Sequence, residues 1–349
     1  MQLANHASQR LSNMELLRII SMLMVLAVHF DGASLGLPQL SGNVDRMNGR
    51  QAWQLATESI TIIGVNCFTL LSGYFGIKLR VKSVAAYLFQ CIFYAVGIAT
   101  VTAITAPNLI NYDQWLESWL VLTHTDLWYV PAYFALMLLS PFLNAGFSAM
   151  SRKSAVGVTL LFILFNIWAG WWWGGKFNPN GYTIAQLIMM YMTGRMLSLF
   201  PTLATGCGRN LTMASTGYVA ATAGIFVTSL YMPSLKAFAY NAPFVICASV
   251  ALFITFMNLH MQSRAINYIA RSAFAVYLLH KSPIIWTHLM KPTVYQWWQE
   301  HSLWEFSLMM TGLMIVVYIA AMLIDPMRRT LSDIFISTVT KSFRHEHAE

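Results

Sequence analysis

Long apolar stretches alternate with short polar ones along nearly the whole chain. A helix needs about 20 mostly apolar residues to cross a bilayer. Ten stretches qualify, at roughly 13–31, 56–76, 84–106, 128–148, 155–173, 183–200, 211–231, 241–259, 268–289 and 303–324. Gly, Pro and Asn punctuate the connections, as at Pro107-Asn108, Asn178-Pro179-Asn180 and Pro233. No connection is long enough for a soluble domain, and no internal repeat stands out. The pattern predicts an all-α polytopic membrane protein of about ten spans. It would be a single transmembrane domain over residues 1–349, with 325–349 as a short cytoplasmic tail.

Composition agrees: 57% of the 349 residues are hydrophobic and only 10% are charged, and mean hydropathy is +0.55. Soluble domains carry about 25% charged residues. Disorder, a nucleic-acid-binding fold and an ordinary cytosolic enzyme are therefore excluded. The net charge of +8 would suggest an anionic partner if it formed a patch, so its distribution matters. With the N-terminus inside, the inner side holds fourteen Lys and Arg: Arg10, Lys78, Arg80, Lys82, Arg152, Lys153, Arg195, Arg209, Arg264, Arg271, Arg328, Arg329, Lys341 and Arg344. The outer side holds five: Arg46, Arg50, Lys176, Lys236 and Lys291. Cationic residues collect in cytoplasmic loops, so the charge is a topology signal that places both termini in the cytoplasm, with no nucleic acid as partner. The first apolar run lacks a small-residue cleavage site and leads into His29 and Asp31, so it reads as a span and not as a signal peptide. The cysteines Cys67, Cys91, Cys207 and Cys247 have no metal-ligand spacing. His6, His345 and His347 lie in hydrophilic tails, and no metal is expected.

The informative charges are those inside spans. Arg18 and His29 are eleven residues apart in the first one. Eleven steps of about 100° make roughly three turns, so the two share a helix face about 16 Å apart along the axis. Glu15 lies one turn before Arg18 and can pair with it. Two explanations stand side by side. Arg18 and His29 snorkel to opposite headgroup layers, or they form a polar stripe joining the two sides of the membrane.

The Arg18-x10-His29 pattern, preceded by Glu15, resembles the first helix of the membrane-bound acyltransferase-3 family. Asn66-Cys-Phe-Thr-Leu-Leu-Ser72-Gly73-Tyr74-Phe75 resembles that family's Phe-x-x-Leu-Ser-Gly-Tyr/Phe stretch. Leu127-Trp128-Tyr129 resembles its Leu-Trp-Phe motif, and Tyr277-Leu-Leu-His280 its Tyr-Leu-x-His segment. The four matches follow the family's order and spread over most of the chain. The resemblance implies an integral membrane O-acyltransferase of the bacterial cytoplasmic membrane. It would move an acyl group, most often acetyl, from cytoplasmic acetyl-CoA to a hydroxyl of a surface glycan or glycolipid. The chain would act as the stand-alone type or with a separate extracytoplasmic partner.

That chemistry needs a base, a polarised thioester and exclusion of water. His29 is the candidate base or acyl relay, because imidazole titrates near neutral pH. Asp31 or Ser72 are candidates to orient its ring. Arg18, held by Glu15, is the candidate contact for pantetheine oxygens or a phosphate. Lys78-Leu-Arg80-Val-Lys82 either receives the CoA phosphates or reflects positive-inside topology; it resembles a basic inner-loop motif of the family, with Lys where the first position is usually Arg. His280 and Tyr277 are candidates for orienting substrate, His280 being otherwise a satisfied core histidine. Asn66 and Ser72 fall on different faces of the second span, and Ser72-Gly73 is equally explained by close helix packing. Trp128 is either a sugar-stacking face or an interfacial anchor. A transporter or flippase for a glycan or lipid-linked precursor is the alternative function, and a membrane sensor a weaker third.

Overall fold

A computed structural model describes residues 11–346 except 124, 125, 174 and 208–210; for 205–207 and 339–346 it describes the backbone alone. Arg10, Arg209, His6 and His347 lie outside the described residues, as do the side chains of Cys207, Lys341, Arg344 and His345. Among the described residues every regular element is helical. The principal helices are α1 (Ser12–Val28), α2 (Gly49–Thr61), α3 (Gly64–Phe75), α4 (Val81–Thr105), α5 (Tyr129–Ala149), α6 (Arg152–Phe165), α7 (Ile184–Leu199), α8 (Leu211–Tyr231), α9 (Pro243–Met257), α10 (Ala273–His280) and α11 (Leu303–Glu346).

Among the described residues, seven segments are long and apolar enough to cross a membrane: Ser12–Ala33, Gly49–Phe75, Val81–Thr105, Tyr129–Ala149, Arg152–Trp172, Leu211–Tyr231 and Leu303–Thr338. The chain is a multi-pass, all-helical membrane protein. The other three expected stretches are realised as shorter elements. Helices α7 and α9 have 16 and 15 residues. The stretch 268–289 is broken: α10 ends at His280, and Pro283 opens a new turn after a non-helical Lys281. Proline disfavours helical geometry in the residue before it, which accounts for the break. The second expected stretch, 56–76, is also two helices. It starts earlier than the apolar pattern suggests, at a capping box in which Asn48 Oδ1 accepts from the Gln51 N–H at 2.9 Å. The last helix does not stop at 324 but continues through 44 residues to Glu346. At 1.5 Å per residue that is about 66 Å, roughly twice the hydrocarbon thickness.

Polar contacts set how the helices stand. Asn13 donates to the Phe256 carbonyl at 2.8 Å, and Ser12 Oγ accepts from the Ser263 N–H at 2.9 Å. These pin the start of α1 beside the end of α9 and the short helix Arg264–Ile269. The end of α1 meets the end of α10 at His29 and His280. Helices α1 and α10 therefore run side by side in the same direction.

The closest crossing is between α3 and α7. A Cβ on Gly73 would run into the Tyr191 carbonyl. One on Gly194 would run into the Leu70 carbonyl and come within 2.9 Å of the Tyr74 nitrogen. Both obstacles are backbone, so two small residues let two backbones touch, as in membrane helix pairs generally. The packing role of Ser72-Gly73 is thus seen at Gly73. Gly73→Ala and Gly194→Ala should each destabilise the protein by about 1–3 kcal/mol through overpacking, read as a lower melting temperature in detergent. Gly97→Ala, in α4 with nothing within 4 Å of the added carbon, should leave the melting temperature unchanged or raise it.

Candidate active site

A cavity of about 570 Å³ lies between α1, α3, α5 and α10. Arg18 and His29 both line it, so the shared helix face expected from their spacing faces one space. Because α1 and α10 run parallel, Arg18 near the start of α1 and Arg271 just before α10 lie towards one end. His29 and Tyr277, further along the same two helices, lie towards the other. Arg329 of α11 joins the arginine end, and Trp128, Tyr129 and Tyr240 join the histidine end.

The α-helical pattern of the first span gives way to a π-helical segment at His29–Ala33. Such segments carry an extra residue per turn and recur at functional sites. His29 Nδ1 lies 2.9 Å from His280 Nε2, and His280 Nδ1 lies 2.6 Å from the Val276 carbonyl oxygen. A carbonyl only accepts, so His280 Nδ1 carries a proton. A neutral His280 then has its lone pair on Nε2, and His29 Nδ1 must be the donor to it. With both rings neutral, the remaining lone pair of His29 is on Nε2. One backbone carbonyl thus selects the tautomer of two rings. His280 is fully buried, whereas His29 is partly exposed to the cavity. Tyr277 stacks on His29 with centroids 6.3 Å apart, and Trp286 meets it edge-on at 5.8 Å. Lys281 does not share the burial of its neighbour: its Nζ sits 3.8 Å over the Trp286 ring.

Neither expected ring-orienting group does that work. Asp31 accepts from Gln54 at 3.1 Å, and Ser72 donates to the Phe68 carbonyl at 3.0 Å and meets the Tyr133 phenol at 3.2 Å. Ser72 still lines the cavity. Asn66 does not: it donates to the Tyr240 carbonyl at 3.0 Å and accepts from Gln186 at 2.9 Å. Asn66 and Ser72 thus serve different faces of the helix. His280, expected either to orient substrate or to be a satisfied core histidine, is bonded to a backbone carbonyl and to His29.

At the arginine end, Arg18 is ion-paired with Glu15. Arg329 is held by Asp325, with Nε 3.2 Å from the carboxylate. Asp325 is fully buried and also takes Arg328 at 2.6 and 2.9 Å and Ser272 at 3.3 Å. Lys78, Arg80 and Lys82 are exposed around the turn between α3 and α4 and do not line the cavity. The sequence places Asp325 four residues before Arg329, and the structure pairs them at the cavity. Among the described residues no three His, Cys, Asp or Glu side chains group as metal ligands.

The arrangement offers a cavity with arginines at one end, an oriented imidazole at the other, and aromatic walls between them. The family model described as an acyltransferase domain, that of the acyltransferase-3 family, matches residues 11–325. No curated protein and no solved structure matches the chain. By a family match over nearly its whole length, the chain belongs to the acyltransferase-3 family of membrane acyltransferases.

Proposed function

We propose that this protein is an O-acyltransferase of a bacterial cytoplasmic membrane, moving an acyl group, acetyl by default, from cytoplasmic acyl-CoA to a hydroxyl of an extracytoplasmic carbohydrate. The observation that carries the proposal is the one cavity shared by three arginines and His29. Ten crossings with both termini in the cytoplasm belong to the same proposal. They are supported by the distribution of Lys and Arg, fourteen against five.

On this reading the nucleotide phosphates of the donor stay at the arginine end. Arg18, Arg271 and Arg329 outnumber the carboxylates of Glu15 and Asp325 that pair with two of them, and guanidinium suits phosphate oxygens. The pantetheine arm extends along the cavity and brings the thioester to His29. The acceptor hydroxyl approaches His29 Nε2, which takes its proton as the oxygen attacks the thioester carbon. The carbon–sulfur bond then breaks, and the thiolate leaves with the proton from Nε2 as free CoA thiol. His280 acts as a positioning residue: it holds His29 in the tautomer whose free lone pair is Nε2.

Three outcomes follow from these roles. His29→Ala, expressed at normal levels, should lose about 10²–10⁴-fold in acetyl transfer to glycan in membrane vesicles. His280→Phe should lower kcat with little change in the KM for acetyl-CoA, because it removes the orienting acceptor and not a substrate contact. A transporter would instead move substrate without releasing CoA thiol, so a thiol-release assay separates the two classes. Arg329→Ala and Asp325→Asn should weaken CoA binding by about tenfold, the scale of one charge-assisted hydrogen bond. S-acetylpantetheine, which lacks the nucleotide phosphates, should bind them as it binds the unmodified protein. Losses confined to Lys78→Ala, Arg80→Ala and Lys82→Ala, measured by calorimetry on the same footing, would put the phosphates at that turn instead.

A further inference from the structure

Four cations around one turn have no place in the transfer cavity. Lys78, Arg80 and Lys82 stand exposed on the turn between α3 and α4, and Arg195 of α7 packs against Gly76 at the start of that turn without lining the cavity either. Cationic residues collect on the cytoplasmic face of membrane proteins, which accounts for the three exposed ones. It does not account for Arg195.

Arg195 is partly buried, and its Nε is cut off from solvent with no hydrogen-bond partner. Its Nη1 lies beside Gly76, where the chain leaves α3 at φ +71°; a Cβ there would stand 3.1 Å from that nitrogen. The surroundings are fastened by a closed ring of three hydrogen bonds. The Ile77 N–H donates to the Tyr191 hydroxyl at 3.0 Å, that hydroxyl donates to Asn144 Oδ1 at 2.9 Å, and Asn144 Nδ2 donates to the Ile77 carbonyl at 2.9 Å. The ring ties the turn to α5 and α7. Arg195 follows the fully buried Tyr191 by one helical turn, so the guanidinium is held at a built position.

No carboxylate is at hand to neutralise it. Residues 64–105, 129–173 and 183–200, which contain α3 to α7 and this turn, hold no Asp or Glu. Among the described residues Arg195, Lys78, Arg80 and Lys82 make no ion pair, whereas Arg18, Arg328 and Arg329 each have one. A guanidinium drawn out of water without a counter-ion is costly. An anion from outside the chain is the remaining partner.

The neighbouring side chains indicate which anion. Phe75 at the end of α3, Val81 at the start of α4, and Leu138 and Phe142, one turn apart on α5 shortly before Asn144, are all exposed. Exposed apolar side chains beside unpaired cations match an amphiphile, with acyl chains along the former and a headgroup on the latter. A free nucleotide would leave the apolar ones uncovered. We propose that Arg195 and the turn 76–82 bind the phosphodiester headgroup of an anionic phospholipid in the cytoplasmic leaflet, with Lys78, Arg80 and Lys82 supplying charge around it. A guanidinium fork suits phosphate oxygens. The site uses the ten-span topology proposed above and neither the acyl donor nor the acceptor.

The test uses the full chain purified in a neutral detergent. Dioleoylphosphatidylglycerol and dioleoylphosphatidylcholine are titrated in separately, and bound lipid is counted by native mass spectrometry. Phosphatidylglycerol should bind at least about tenfold more tightly than phosphatidylcholine, on the scale of about fivefold for each cation near a membrane surface. Arg195→Gln, and separately the exposed triple variant Lys78→Gln/Arg80→Gln/Lys82→Gln, should each weaken phosphatidylglycerol binding about fivefold or more at an unchanged melting temperature. Arg264→Gln, at an exposed cation elsewhere in the chain, should leave it unchanged. Neither CoA nor inorganic phosphate should displace the lipid. The proposal is overturned if the two phospholipids bind equally, or if CoA or inorganic phosphate displaces phosphatidylglycerol, which would make this a soluble-anion site. It is also overturned if folded Arg195→Gln keeps the full preference, or if the triple variant, whose side chains the fold does not need, weakens binding no more than Arg264→Gln does.

Discussion

An imidazole inside an apolar helix bundle must find a partner, and here two histidines separated by 251 positions in the chain partner each other. That contact does more than satisfy polar atoms. It holds the end of α1 against the end of α10, and since the starts of both segments are also tied together through Ser12 and Asn13, the two helices stay in register along their length. The register is what puts Arg18 and Arg271 at one end of the cavity while His29 and Tyr277 stand at the other. The Val276 carbonyl completes the arrangement, because a group that can only accept leaves both rings one neutral tautomer.

Around this axis the protein is stiffened where the cavity needs walls. The mutual glycine contact at Gly73 and Gly194 brings α3 and α7 to backbone distance. The amides of Asn66, Gln186, Asn178 and Asn241 then tie α3 and α7 to the turns at 178–182 and 240–242. Hydrogen-bonded amides in a low-dielectric interior are rigid because breaking one strands its partner. Tyrosine and tryptophan rings can then be presented to the cavity without collapsing into it.

The two ends of the cavity have opposite chemistry for the same physical reason. Arg329 survives near an apolar interior because the buried Asp325 carboxylate holds it, and Arg18 because Glu15 does. At this end cations exceed the carboxylates that anchor them. At the other end imidazole and aromatic rings predominate. The proposed thioester donor, with a charged nucleotide and a neutral arm, would lie along that gradient.

The hydrophobic pattern by itself determined an all-helical multi-pass membrane protein, and residue spacing the pairing of Glu15 with Arg18 and the shared face of Arg18 and His29, because helix geometry is local and eleven residues return to the same face. Spacing singled out His29, and the resemblance to the acyltransferase-3 motifs singled out His280, Tyr277, Trp128 and Ser72. Local spacing could not say that His29 is oriented by His280 instead of Asp31 or Ser72, since that contact joins helices 251 positions apart in the chain. Nor could it foresee that α10 breaks at Pro283, that α11 runs on past 324, or that Lys78, Arg80 and Lys82 lie away from the cavity while Arg329 enters it. Loop charge reports which side of a membrane a residue favours, but only tertiary packing decides which charges converge. Convergence depends on crossing points, on two glycines, a few amides and a buried aspartate, whose partners are far away in the chain.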